Sequence, residues 1–332
     1  MREYNGVIGA VKYPDEVEFA FNPNRIVVVT DKEVTVTIGG KFEDKREPFM
    51  GKVEIDIAKY LQAFVDKENR HKNVNVELTS ENGVFGFTLL VIWGALNIGE
   101  AFNEPKTVDW FSAYPFTLDL YVPADATLEV ANGSGDKVGS FVRLDDVGSG
   151  IVSIDVNELF PLANSITFRL TRGESTSVFD YTFDYTFREF VEGGVSEYVM
   201  KRDGRDCGAY LRWIDRHGMM QYYLFDMGEH SQIDKAADMK KGVFTGESYE
   251  YLTSVYERKE ATHNVRLCAP LVMDEVFERL KTLNTSPCVE LYYNGEWLPV
   301  NIEPVSVQKA KRKVLQDYEV NMIYPVMMMQ ML

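Results

Sequence analysis

The chain has 332 residues, 45% of them hydrophobic and 26% charged, with 20 Phe and 18 Tyr. This is the composition of a globular protein of two or three domains and excludes a disordered chain. Its 35 Lys and Arg stand against 51 Asp and Glu, a net charge of −16, which argues against a nonspecific nucleic-acid binder and against docking on an anionic membrane, since both need basic surface.

No apolar run approaches the ~20 residues that span a bilayer, and the first residues carry no signal-peptide pattern. The three cysteines, Cys207, Cys268 and Cys288, are too few for a disulfide framework and fit folding in a reducing cytoplasm.

From the N-terminus, Val17–Phe21, Arg25–Thr30 and Val34–Ile38 read as short strands separated by Asn-Pro-Asn and Asp-Lys turns. Gly51–Asp56 continues the strand pattern. The period then changes to helical, with Ile57, Tyr60, Leu61, Phe64 and Val65 on one stripe and Asp56 placed to cap it. Val74–Thr79 and Val84–Trp93 follow as strands around Glu81-Asn-Gly83.

The same order recurs. Gly51, Val53, Ile55 and Asp56 return as Gly150, Val152, Ile154 and Asp155. A second short helix follows, with Asp155 and Glu158 as a capping box and Pro161 as its stop. Phe116–Tyr121, Thr127–Ala131 and Ser140–Leu144 supply the strands before it, and Ser165–Thr171 and Val178–Phe187 those after it. The expectation is two tandem β-sandwich-like repeats, 1–98 and 110–190, with Gly99–Asp109 as linker. In the last strand, Phe179, Tyr181, Phe183, Tyr185 and Phe187 alternate with polar residues, which places every ring on one face.

A third domain, α+β, is expected over 195–332. Tyr210–Ile214 and Met220–Phe225 flank a turn at Asp215–Gly218. Gly246–Tyr256 and Thr262–Ala269 read as strands, and Met273–Leu283 as a helix capped by Asp274. Cys288–Tyr293 and Trp297–Val307 flank Asn294-Gly295, the strongest short hairpin signal in the chain. Val314–Ile323 closes the domain. The fold class is mainly β.

Motifs for chemistry are scarce. No dinucleotide, P-loop, nucleophile-elbow or metalloprotease signature occurs. His71, His217, His230 and His263 are scattered, and Cys207 with His217 and His230 lacks the spacing of a zinc site. Cys207 sits among cations, without an assigned base. Glu43-Asp44, Asp145-Asp146 and Asp180/Asp184 are close carboxylates of the kind a hydrolase uses, but 51 acidic residues make such pairs expected. Asn132–Asp136 reads as a turn and Lys309–Lys313 as a solvated basic stretch. No cofactor and no metal are expected, and the protein is read as no enzyme. Trp93, Trp110, Trp213 and Trp297 are the stacking platforms that a carbohydrate- or receptor-binding alternative would use.

The segment Tyr210-Leu-Arg-Trp-Ile-Asp-Arg-His-Gly-Met-Met-Gln-Tyr-Tyr-Leu-Phe225, followed by Asn294-Gly-Glu-Trp297, Asp317-Tyr-Glu-Val320 and Tyr324-Pro325, resembles structural proteins of phages and prophages of Bacteroidetes bacteria. The resemblance implies a tail or baseplate component made in the host cytoplasm and resident in the virion. Its implied partners are other tail or virion proteins and copies of itself, with no nucleic acid and no membrane. Trp213, Tyr222, Tyr223 and Phe225 are the candidate interface, because they put rings on both faces of one hairpin and a single domain needs only one face.

Overall fold

The computed structural model describes residues 1–98, 101–102, 106–122, 126–132, 137–142, 150–159, 165–172, 176–181, 187–192, 196–240, 255–303, 314–324 and 327–331. The chain divides into two compact units, Met1–Gly204 with Ile214–Gln221, and Arg205–Trp213 with Tyr222–Leu332.

The first unit opens with β1 (Arg2–Gly6), β2 (Gly9–Tyr13), β3 (Val17–Phe19), β4 (Arg25–Val29), β5 (Val34–Ile38), β6 (Phe42–Arg46) and β7 (Lys52–Asp56). Helix α1 (Ala58–Leu61) and a 3-10 turn (Gln62–Phe64) lead to β8 (His71–Ser80) and β9 (Gly83–Ile92). One sheet has the order β1-β2-β4-β7 and the other β3-β9-β8-β5-β6. Period-two alternation drives this arrangement: Val34, Val36 and Ile38 of β5 and Val74, Val76 and Leu78 of β8 point into one core, while the residues between them do not. Ile57, Leu61 and Phe64 of the helical stripe enter the same core.

The second half of this unit holds β10 (Ala101–Phe102), β11 (Lys106–Phe111), β12 (Thr117–Val122), β13 (Ala126–Asn132), β14 (Lys137–Val142) and β15 (Gly150–Asp155). After α2 (Val156–Leu159) come β16 (Ser165–Arg172), β17 (Thr176–Tyr181), β18 (Phe187–Glu192) and β19 (Ser196–Asp203). The five-stranded sheet β11-β19-β16-β13-β14 repeats the order β3-β9-β8-β5-β6 position for position. Its terminal pair is parallel in both copies. The Gly-x-Val-x-Ile-Asp strands also pair alike, Arg25 opposite Asp56 and Thr117 opposite Asp155. Asp56 accepts the Ala58 amide at 3.0 Å and Asp155 accepts the Glu158 amide at 3.0 Å, so both carboxylates satisfy free N–H groups at a helix start.

Three expectations are corrected here. The last strand of the second copy is β19, and 178–187 does not take that place. β17 folds back on β18, with Tyr181 opposite Phe187, so the aromatic run is not one strand; Phe183 and Tyr185 lie outside the described residues. The segment 99–109 is more than a linker, because it holds β10 and most of β11, whose Val108 and Trp110 are buried at period two. The first unit runs on through β19 to Gly204, past the boundary expected at 190–195.

Within this unit a second core joins the two copies. Phe19, Leu90 and Ile92 meet Phe102, Tyr121, Ile151 and Met219. Asp119 lies beside it, buried, and accepts from the Arg70 guanidinium, from Ser153 Oγ at 2.6 Å and from the Met220 amide at 2.7 Å. Arg70 also donates to the Gly218 carbonyl at 2.9 Å. The turn carrying Gly218 is itself organised by Asp215, whose carboxylate accepts the amides of His217 and Met219 and the Gln221 side chain. Gly218 has φ +74, and a Cβ there would lie 2.6 Å from the Trp93 carbonyl oxygen, so glycine is required on both counts.

Glu18, on β3, is buried and accepts the Asp15 amide at 3.0 Å. Burial pushes its carboxyl up to about 8 from 4.5. The folded chain thus holds a proton that the unfolded chain releases above about 4.5, and stability falls as pH rises through this window, by at most about 1.4 kcal/mol per pH unit. Glu18→Gln is expected to flatten that slope. Urea midpoints at about pH 5.5 and about pH 7.5 for both proteins check it, and parallel pH profiles would refute it.

The second unit contains most of β20 (Ala209–Ile214) and of β21 (Met220–Lys240), with β22 (Val255–Met273), α3 (Asp274–Lys281), β23 (Val289–Tyr293), β24 (Glu296–Ile302), β25 (Leu315–Ile323) and β26 (Met327–Met331). The order β21-β20-β23-β24-β25-β22, with β22 returning to β21, closes a six-stranded barrel, and β26 adds to β22 beyond it. Closure removes the sheet edges that an open α+β layer would leave. Asn294 at φ 51 and Gly295 at φ 87 make the expected two-residue turn between β23 and β24. α3 lies where the helix was expected and buries Phe277 and Leu280, with Phe277 edge-on to Tyr318 at 6.0 Å. Its N-cap is Met273, without a side-chain cap bond, and Asp274 sits in the first turn instead.

Candidate functional site

The four rings of the expected interface are core. Trp213 is 1% exposed, Tyr222 5%, Tyr223 4% and Phe225 0%. The expectation that one face of the hairpin remains for a partner is corrected: barrel closure covers one face and side chains of the same chain cover the other. On one face Trp213 Nε1 donates to Thr282 Oγ1 at 2.9 Å and Phe225 meets Tyr318 at 6.2 Å. On the other, Tyr222 stacks with Tyr210, and both meet Trp297 beneath the Arg212 guanidinium, 4.2 Å above the indole.

Several of the chemical candidates are held in packing or in structural hydrogen bonds. Trp110 is fully buried and its indole donates to Asn157 at 2.7 Å, so it offers no stacking platform. His217 packs on the rings of Phe19 and Phe102. Asp44 is engaged by Arg46 at 2.8 Å and by Tyr60 at 2.9 Å. Burial pushes the Cys268 thiol up, which makes it a poorer nucleophile. Among the described residues no three His, Cys, Asp or Glu side chains are placed to hold a metal. Asp145, Asp146, Asp184, Gly133–Asp136 and Lys309–Lys313 lie outside the described residues.

What the sequence did not suggest is a cleft at one end of the first sandwich. Two adjoining hollows, of about 470 Å³ and about 380 Å³, share Lys41, Phe64 and Lys72. The turn Gly39–Lys41 borders it on one side and the start of β8 on the other, with Asp66 and Asn69 at the far end. Phe64 is 8% exposed, and both ammonium groups rest on its ring, at 5.5 Å for Lys41 and 6.0 Å for Lys72. Among the described residues neither lysine forms an ion pair, although acidic residues outnumber basic ones throughout the chain. Asp66 is held by the amides of Asn69 at 2.6 Å and Glu68 at 2.9 Å, bonds that keep its carboxyl below the usual range. Partial burial, then Arg70, lower the His71 imidazole, which favours its neutral form at pH 7.

The floor of the cleft is a short strand edge. β5 pairs with β8 only from Val76 to Ser80 and then turns away, while β8 continues back to His71 along β9. The last bond on this side runs from the Gly39 amide to the Asn75 carbonyl, 2.7 Å. Peptide groups of alternate residues point the same way along an antiparallel strand, so those of Asn73 and His71 also face the cleft. The Leu90 amide, opposite Asn73, donates away from it to Glu16, which agrees with that orientation.

No protein-family model and no curated protein matches this chain. The solved structures it is similar to include a three-domain titin fragment, I67–I69, in an E-to-A mutated variant, at 8% identity over 76% of this chain and 91% of that one, TM-score 0.17. The I-band fragment I67–I69 from titin gives 7% identity over 80% and 94%, TM-score 0.17. Extracellular domains 3–5 of Drosophila OTK give 7% over 77% and 90%, TM-score 0.17. Likeness at this level decides neither fold nor function.

Proposed function

We propose that this chain is a non-enzymatic structural and assembly protein of a phage tail or baseplate, resident in the virion and working by protein–protein docking. The observation that carries the reading is the ribbon formed by β21 and β22. β20 has six residues and, across the turn at 215–219, is used up opposite Phe225. β21 nevertheless continues to Lys240, paired with β22 as far as Val255. Asp226–Gln232 are exposed throughout. Among the described residues the outer edge of β21 beyond Phe225 has no strand beside it.

β26 makes the ribbon three-stranded at Arg258–Ala261, but it lies against β22 and leaves the outer edge of β21 uncovered, and an edge of this length is a template for another chain. β-rich repeats ending in a barrel with such an arm suit a protein whose work is to be built into something larger. The hairpin motif at 210–225 adds the resemblance to tail-type proteins.

The test is to replace Gln232–His263 by an Asn-Gly turn, which leaves the barrel pairings of Asn264–Met273 with β25 in place and removes, with the arm, the Arg258–Ala261 partners of β26. Particles purified from producing cells are expected to contain the intact chain in fixed stoichiometry and to lack the shortened one, which still folds. A chain absent from particles, or an armless variant incorporated normally, sinks the reading.

A further inference from the structure

The geometry points to the cleft between Lys41 and Lys72 as a docking site for an extended acidic segment of a partner protein, added as a short strand to the uncovered edge of β8. This extends docking to a second surface and does not depend on the arm or on residence in a virion.

Three observations converge on that occupant. The first is the edge itself. The peptide groups of Asn73 and His71 face the cleft in the space that β5 leaves when it turns at Gly39. An added strand would continue the line of β5 and take up these groups, which is β-augmentation over a few residues. The second is charge. Lys41 and Lys72 are exposed cations without a carboxylate partner among the described residues, in a chain of net charge −16. Among the described residues the only acidic one lining the cleft is Asp66, already bound by the amides of Glu68 and Asn69. Carboxylates arriving from outside would meet two free ammonium groups held over Phe64. The third is room. The two hollows are joined through the residues they share, and at about 470 Å³ and about 380 Å³ they hold more space than a single small anion needs. At Gly40 a side chain would meet nothing within 4 Å, so the approach from that side is open.

The test uses the full chain with an acetylated hexaglutamate amide as probe, followed by calorimetry or by backbone NMR shifts. Binding is expected to perturb the amides of Asn73 and Gly40. It should weaken about tenfold in the double variant K41Q/K72Q, in line with two exposed ion pairs, and weaken further with added salt. A hexaglutamine peptide is expected to bind more weakly than the acidic one. A hexaglutamate N-methylated at alternate residues should lose binding, because it cannot pair with the edge.

Equal binding by wild type and double variant, or no effect of N-methylation, overturns the site or the strand pairing respectively. Inorganic phosphate binding as tightly as the peptide would show an anion subsite and overturn the peptide assignment. If the chain instead self-associates through this face, and K41Q/K72Q abolishes it in sedimentation, the occupant is a second copy and the partner claim is wrong. Peptide binding by a chain that never enters particles would keep this site and remove the virion reading. Incorporation without peptide binding would do the reverse.

Discussion

Asp119→Ala is expected to destabilise the first unit by about 3–5 kcal/mol, the cost typical of leaving one partner of a buried ion pair behind. The Asp119 side chain is 1% exposed and that of Arg70 16%, so water compensates poorly for the lost carboxylate. The same carboxylate accepts the Ser153 hydroxyl and the Met220 amide, and these two donors are also left unsatisfied. Arg70 precedes β8, Asp119 lies on β12, Ser153 on β15 and Met220 follows the turn at 215–219. One substitution therefore loosens four segments distant in sequence. Equilibrium denaturation of Asp119→Ala, Arg70→Met and the double variant measures the effect. The double variant should cost little more than Asp119→Ala alone, since the orphaned charge is then gone. A loss below about 1 kcal/mol for Asp119→Ala would show that the pair is effectively solvated.

Trp213→Ala is expected to cost the barrel a similar amount, about 3–5 kcal/mol, because it empties an indole-sized space among side chains that cannot collapse into it. Trp213 is 1% exposed and its indole N–H is bound to Thr282. Trp213→Phe separates the contributions: it keeps most of the ring volume but loses the hydrogen bond and leaves Thr282 short of a partner, a smaller loss of about 1–2 kcal/mol. Urea midpoints, read with the m-value held fixed, give both numbers. The outcome also decides between core and interface for the hairpin at 210–225. If Trp213→Ala unfolds with the wild-type midpoint and only assembly suffers, the ring belongs to an interface after all.

Features that depend on neighbours along the chain are legible in the amino-acid order. Period two placed most strands. Gly51-x-Val-x-Ile-Asp56 and its echo at Gly150–Asp155 located the duplication, because a strand ending in a capping carboxylate is a local device. Asn294-Gly295 fixed its turn, because only residues that tolerate positive φ close a two-residue hairpin.

Tertiary structure decided whatever depends on which strand lies beside which. The run from Phe179 to Phe187 reads as one amphipathic strand, but the ladder of the second repeat is completed by β19, and the run folds back at the Tyr181–Phe187 pair. The rings of Tyr222 and Tyr223 look like one face too many for a single sheet, yet a closed barrel buries both faces of a strand when other residues pack outside it. The cleft was invisible for the same reason. Lys41 and Lys72 lie on separate strands' ends, and nothing in either segment says that β5 stops at Ile38 while β8 continues to His71. Local sequence sets the period and the turns of a strand. Its register against a distant partner is chosen by the summed burial of the whole sheet, and that sum exists only once the chain has folded.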